Sequence, residues 1–255
     1  MEVIIQPDAE AVAETALGIV RESLRRKPDL VLGLATGKTP LGLYARVTGA
    51  ALDLGRARFF NLDEFVGMGP RDKRSFHRFL HEHLLDKLRV GPGNVHLLRG
   101  DAPDLEKAAE EYEARIRIEG GIDLQILGIG RNGHIGFNEP GSSLGSRTRI
   151  KTLEAQTIAD YAGSRASTES VPRFSITMGI GTILEARRLL LLATGDAKAE
   201  PVRRVVEGPV TAEVPGSALQ LHPRAQMVLD EPAASRLSRR DYWKWVYENK
   251  WRVGQ

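Results

Sequence analysis

The sequence predicts an α/β fold with a largely parallel sheet and helices on both faces, and three observations lead there. Short apolar runs that suit buried strands alternate with helical stretches along most of the chain, the pattern of repeated strand-helix units. Several of those runs end in turns rich in glycine, threonine or asparagine, as strands of a parallel sheet do where they meet the ligand crevice. A length of 255 residues at 42% hydrophobic content sustains one large buried core. No internal repeat, low-complexity tract or charge run marks a linker, so residues 1–255 are read as a single domain.

The first strand is expected at Leu30 to Leu34, followed by a helix from about Pro40. Arg58 to Leu62 reads as the next strand, then a helix through Ser75 to Leu88 and a strand at Val95 to Leu98. A helix from Leu105 to Ile118 leads to the strand around Leu124, where Asp123-Leu-Gln-Ile-Leu-Gly-Ile is short, apolar and ends in glycine. A short helix near Thr182, a strand at Leu189 to Ala193, a helix from Lys198 to Val206 and a strand at Gln226 to Leu229 complete the alternation. The tail from Arg239 to Arg252 holds all three tryptophans among basic residues. Stacking on single-stranded nucleic acid is one reading of such a tail. A helix packing Trp243, Val246 and Tyr247 onto the domain explains the same spacing more plainly.

Composition removes whole classes of function. With no cysteine, disulfide and thiolate chemistry are excluded, and a metal would need His and carboxylate ligands. His77, His81 and His83 cluster on the expected helix without a carboxylate in ligand position, so they read as a solvated face and no metal is expected. The 36 Lys and Arg against 33 Asp and Glu leave only +3, too balanced to argue for nucleic acid; a small anionic substrate suffices. No segment has the length of a membrane span, and Met1-Glu-Val-Ile-Ile-Gln lacks the basic start and apolar core of a signal peptide, so a cytoplasmic protein is expected.

Three loops that follow strand ends carry the chemistry. Ala35-Thr-Gly-Lys-Thr-Pro sets small residues, amides and two hydroxyls before a helix, a geometry that suits an anion because free amides and the helix dipole point at it. Proline early in that helix gives up no needed donor. An ordinary capping turn through Thr39 is the plain alternative, and the G-x-x-x-x-G-K spacing of a Walker loop is absent. Phe59-Phe-Asn-Leu-Asp-Glu-Phe places Asp63 and Glu64 directly after a strand. Burial there would raise a carboxylate toward the range useful for taking a proton from carbon; helix capping by Asp63 is the alternative. The third loop, residues 126 to 141, delivers Asn132, His134 and Glu139. Histidine, with an unperturbed pKa of about 6.5, can both take and give a proton. Its alternative role is to hydrogen-bond the loop together. Gly128, Gly130 and Gly133 also fit G-x-G-x-x-G, but the dinucleotide fingerprint needs a helix to start within the glycines. Gly136, Asn138, Pro140 and Gly141 make a poor first turn. Lys198, after the strand at 189, is a further anion contact.

Together, Leu-Gly-Leu-Ala-Thr-Gly-Lys-Thr-Pro at 32 to 40, Asn-Leu-Asp-Glu-Phe-Val-Gly at 61 to 67, Gly-Ile-Gly-Arg-Asn-Gly-His-Ile-Gly-Phe-Asn-Glu-Pro-Gly-Ser-Ser at 128 to 143 and Ser-Arg-Thr-Arg-Ile-Lys-Thr-Leu at 146 to 153 resemble the glucosamine-6-phosphate deaminase family. Thr-Gly-Asp-Ala-Lys-Ala at 194 to 199 and Leu-Gln-Leu-His-Pro at 219 to 223 extend the match over most of the chain. The resemblance implies a Rossmann-like domain that converts glucosamine 6-phosphate and water to fructose 6-phosphate and ammonia, without metal or organic cofactor. It implies that His134, supported by Glu139 and Asn132, opens the sugar ring, and that Asp63 takes the C2 proton. Thr36, Gly37, Lys38, Thr39 and Lys198 would hold the phosphate.

The chain departs from the family pattern at Asn132, where many members carry aspartate, although asparagine also occurs. The amide is expected to orient the His134 ring by hydrogen bonding, with a pH dependence unlike that of Asn132→Asp. The family's phosphate-binding arginine has Arg165 as its nearest counterpart. Some members are hexamers activated by N-acetylglucosamine 6-phosphate at subunit contacts. Ser142, Arg149 and Lys151 match that site, with Tyr242 as its aromatic contact; other members lack regulation, and both readings stand. Galactosamine 6-phosphate as substrate, 6-phosphogluconolactonase chemistry and a non-enzymatic sugar-phosphate sensor are the competing functions. Phe137-Asn-Glu-Pro after the His favours the deaminase over the lactonase, and the presence of both Asp63 and His134 argues against a sensor.

Overall fold

A computed structural model describes residues 1–162 and 171–250. Strand β1 (Glu2–Gln6) and helix α1 (Ala9–Arg26) open the chain, α1 being capped by Asp8 Oδ1, which accepts the Ala11 amide at 2.8 Å. Neither was expected from the sequence, although Val12, Ala16, Ile19, Val20 and Ser23 lie on one buried face. Next come β2 (Val31–Leu34), α2 (Lys38–Gly49), β3 (Arg58–Asn61), β4 (Asp63–Phe65), α3 (Phe76–His83), β5 (Val95–His96) and α4 (Leu105–Ile118). The remaining elements are β6 (Leu124–Leu127), β7 (Arg149–Thr152), α5 (Ala155–Ala162), β8 (Phe174–Thr177), α6 (Ile180–Leu184), β9 (Leu189–Ala193), α7 (Ala199–Glu207), β10 (Ala225–Asp230) and α8 (Arg240–Glu248).

Seven strands form one sheet in the order β1-β10-β9-β6-β2-β3-β5, and every neighbouring pair is parallel. This is the α/β architecture the strand-helix alternation predicts. β2, β6 and β9 are buried along their whole length, which is why they read as continuous apolar runs. The two non-apolar positions at their centre explain each other. Gln125 of β6 pairs in register with Gly33 of β2, and a Cβ on Gly33 would stand 1.9 Å from the Gln125 amide oxygen. α1 and α2 pack together over β9 and β10, while α8 closes the far edge against β1 with Trp243 and Tyr247 on the core, as the tail spacing predicts.

The chain leaves β2 toward β3 and β5 on one side, then returns to place β6, β9 and β10 on the other. The crevice above β2 and β6 is therefore the topological switch point, where ligands bind in open α/β sheets. A second sheet of three antiparallel strands, β4-β8-β7, sits beside that crevice. No pattern in the sequence announces it. A single residue, Leu62, separates β3 from β4, so the chain turns a corner from one sheet into the other at Asp63. Beneath this corner Phe65, Met68, Phe76, Phe137 and Leu153 form a second apolar cluster. Among the described residues no helix is long and apolar enough to cross a membrane.

Candidate active site

The loop after β2 has the backbone of an anion cradle: its helix starts uncapped. α2 begins at Lys38 with Gly37 as its cap residue and no side-chain cap, so the alternative of a Thr39 cap is not what forms. The first-turn amides of Lys38 and Thr39 therefore lack an intrahelical acceptor and point into the cleft with the positive end of the helix dipole. Pro40 is the third helical residue, where no donor is lost. Tyr44, buried one turn below, locks the loop's base: its hydroxyl donates to Ala35 O at 2.6 Å and accepts from Ala35 N at 3.2 Å. Thr39 Oγ1 lies 3.3 Å from Thr194 Oγ1, tying this loop to the one that follows β9.

The corner at the end of β3 separates its two carboxylates by function. Glu64 turns inward and accepts three amides, Phe65 N at 2.9 Å, Phe76 N at 3.1 Å and His77 N at 2.9 Å, so it caps the start of α3. Asp63 caps nothing, correcting the capping alternative; it lies in a strand, is buried at 6% exposure and lines the cleft. No described residue donates a hydrogen bond to its carboxylate. Burial, and secondarily the charge of Glu64, push the Asp63 carboxyl up to about 8. Burial also lifts Glu64, to about 7, against the pull of its amides. The backbone at the corner is fixed by buried Asn61, whose Nδ2 donates to Asp63 O at 2.7 Å and whose Oδ1 accepts Leu98 N at 2.8 Å.

The loop after β6 carries no helix before α5, so the glycines do not form a dinucleotide fingerprint. Their use is local. A Cβ on Gly130 would stand 2.2–2.4 Å from three atoms of the His134 ring, so only glycine lets the imidazole fold back over the loop. His134 Nδ1 lies 3.4 Å from Glu139 Oε2, near enough for an ion pair but without hydrogen-bond alignment. Burial alone would raise Glu139, yet His134, Thr157 and Asn132 outweigh it and hold the carboxyl at about 2. Asn132 departs from expectation in its contacts: its Oδ1 accepts the His134 backbone amide at 3.1 Å and its Nδ2 donates to Glu139 Oε2 at 2.8 Å, so it sets the loop and the carboxylate rather than the ring.

These three loops enclose one cleft of about 420 Å³, within the range of small-molecule sites. Thr36, Gly37, Lys38 and Thr39 line one end with Lys198, whose Nζ donates to Ile129 O at 2.6 Å and whose pKa burial lowers. Asp63 and His134 line the same cleft. Arg165 lies outside the described residues. Sequence reasoning missed four lining residues: Arg131, beside Lys198, and Thr157, Asp160 and Tyr161 on α5, which roofs the cleft. The Arg131 guanidinium is 3.4 Å from Asp160 Oδ2, and Tyr161 packs edge-on against Phe65 and Phe137. Arg131 follows Gly130 in a motif already singled out, and only its type stood to signal it. His77 and His81 stack at 4.5 Å, and no group of described residues could hold a metal ion.

Ser142 lies in the loop after β6, and Arg149 and Lys151 lie two residues apart on β7. Ser142 Oγ donates to Glu139 O at 2.6 Å, and Arg149 donates to Asn138 Oδ1 at 2.9 Å. Tyr242 is on α8, under the Arg239 guanidinium at 4.3 Å.

Residues 7–229 match the family described as glucosamine-6-phosphate isomerases/6-phosphogluconolactonase. The chain belongs to that family. Among its relatives, a glucosamine-6-phosphate deaminase of Shewanella loihica is 49% identical over 251 residues, 96% of this chain and 93% of the relative. One from an Arthrobacter species is 47% identical over 254 residues, 98% of each chain. A solved structure described as a monomeric glucosamine-6-phosphate deaminase of the NagB superfamily superposes with a TM-score of 0.89 at 40% identity, covering 92% of this chain and all of that one. A 6-phosphogluconolactonase of Thermotoga maritima shares the fold at 19% identity, TM-score 0.72, over 90% of this chain and 99% of that one.

Proposed function

We propose that this chain converts glucosamine 6-phosphate and water to fructose 6-phosphate and ammonia in the cleft above β2 and β6. The observation that carries the reading is the presence, in one cleft, of an unpaired buried carboxylate and an imidazole set against an ionised one. Asp63 is a buried carboxylate that no described residue pairs, raised to about 8. His134 stands against a carboxylate held ionised at about 2. Ring opening moves a proton from the anomeric hydroxyl to the ring oxygen and needs a group that both takes and gives; His134 fills that role, with Glu139 stabilising the imidazolium formed between the two transfers. Isomerisation then needs a base on carbon. Asp63 takes the C2 proton of the open chain, the C–H electrons form the C1=C2 bond as the C1=O π electrons move to O1, which takes a proton to give the enolamine, and protonation at C1 with loss of a proton from nitrogen yields the C2 imine. Water adds to that imine and ammonia leaves.

The phosphate is held by the Lys38 and Thr39 amides, the Thr36 and Thr39 hydroxyls and Lys198, with Arg131 as the guanidinium at that end. The names of the full-length relatives support the same substrate, and we place the enzyme in the cytoplasm. The test is ammonia release from glucosamine 6-phosphate by the wild type beside Asp63→Asn and His134→Gln, with galactosamine 6-phosphate as second substrate. Release from the gluco sugar that is lost in both variants is expected. Faster release from the galacto sugar would reassign the substrate, and substrate binding without release from either would make the chain a sensor.

A further inference from the structure

Asn132, which departs from the aspartate common in the family, is joined to a residue outside the proton-transfer set. Its Nδ2 carries two hydrogens, and the structure uses both: one goes to Glu139 Oε2 at 2.8 Å, the other to Glu154 Oε2. Glu154 also reaches that carboxylate directly, because its backbone amide donates to Glu139 Oε1 at 3.1 Å. The two oxygens of Glu139 are thus held from different directions, one through the Asn132 amide and one through the Glu154 main chain. Glu154 directly precedes α5, and its carbonyl accepts the Ile158 amide of that helix at 3.0 Å. The Glu154 side chain itself is exposed and does not line the cleft.

We infer that Glu154 is a positioning residue matched to Asn132: the Asn132 amide bridges it to Glu139 and so fixes Glu139 against the His134 ring. The inference rests on the deaminase reading. Its force lies in what the Asn132→Asp substitution would do in this chain. Both donated hydrogens would be lost, and three carboxylates would stand together with no donor left between the new carboxylate and either Glu139 or Glu154. Asparagine at 132 is then the residue compatible with glutamate at 154, rather than a neutral loss of charge. Glutamine at 154 would reverse the requirement, since its amide can donate to an aspartate.

The experiment is a double-mutant cycle on ammonia release and thermal unfolding with Asn132→Asp, Glu154→Gln and the pair. Asn132→Asp is expected to lower kcat about tenfold with KM nearly unchanged, Glu154→Gln about threefold, and the double variant to recover to within about threefold of wild type, as coupling between contacting residues allows. A role in stability alone would move the unfolding temperature without this reciprocal rescue of kcat. Asn132→Asp as active as wild type, or equally impaired with glutamate and glutamine at 154, overturns the inference. If the wild type releases no ammonia, the deaminase reading fails separately, and the unfolding temperatures still decide: a deficit in Asn132→Asp restored by Glu154→Gln supports the match, and additive deficits remove it.

Discussion

The corner at Asp63 and the loop at Glu139 present the same chemical group in nearly the same burial, 6% and 3% exposed, with opposite outcomes. Asp63 is given no donor and rises to about 8; Glu139 is given an imidazole, Asn132 and Thr157 and falls to about 2. Burial pushes both groups up, and at Glu139 the imidazole beside it, together with its donors, reverses the sign. The first environment makes a base that can hold a proton between steps, the second an anion that stays charged beside the imidazole. Glu64, one residue from Asp63, lies between them: buried like both, it commits its oxygens to three amides and becomes part of the scaffold.

The sharpest way to break this comparison is Asp63→Asn, expected to lower kcat by about a thousandfold, as loss of a general base does. The same variant reports on folding. A carboxyl raised from 3.8 to about 8 on folding costs stability progressively as pH rises across that window. Asp63→Asn should then melt with the wild type below the window and be more stable by at least ~1 kcal/mol above it; a melting difference independent of pH would contradict the raised value. In activity, wild-type kcat/KM should climb with pH through about 8 as Asp63 ionises.

Gly130→Ala comes next. Its Cβ would occupy the place of the imidazole, and a displacement of that size costs roughly a hundredfold in rate. Unfolding measured alongside should change little, and a fully active alanine variant would show that the ring does not work from this position. Glu139→Gln is expected to be smaller in rate, about tenfold, but visible in stability. Because the folded carboxyl titrates at about 2 instead of 4.5, its contribution is complete above 4.5 and disappears as pH falls toward 2. Acid melts should therefore show the wild-type advantage, on the order of 2 to 3 kcal/mol at neutrality, vanish at the acid end. The smallest effect is expected at Arg149→Ala. Ser142 and Arg149 are engaged by partners in their own chain, so saturation curves should be hyperbolic and insensitive to N-acetylglucosamine 6-phosphate. A sigmoidal wild type made hyperbolic by this substitution would assign the pair to an activator site.

What was legible in the sequence divides along the same line. β2, β6 and β9 were readable because both of their faces are buried, which leaves an uninterrupted apolar run. The cradle at 35 to 40, Asp63 and the His134 loop were readable because strand ends and turn residues locate them. β4 and β7 were not, since Asp63-Glu-Phe and Arg149-Ile-Lys-Thr draw their strand character from antiparallel partners and carry little of their own. The division of labour between Asp63 and Glu64 was hidden for a related reason: it depends on the amides of Phe76 and His77, brought near by the turn that follows β4. Asp160 and Tyr161 reach the cleft only because α5 lies across it, an arrangement no local spacing encodes. α1 is a different case, because its Asp8 cap and its buried face at 12, 16, 19 and 20 were present to be read.

The Tyr44 hydroxyl, which both donates to and accepts from Ala35, has a bearing on how this cleft could be altered. It bolts the proposed phosphate pole to the scaffold from beneath, so that end is in place before a ligand arrives and has little room to adapt to a different one. A laboratory search for variants that accept other sugars would be wasted on the 35 to 40 turn. It belongs on α5, where Tyr161 lines the cleft on a helix that can be redesigned without unfastening the anchor.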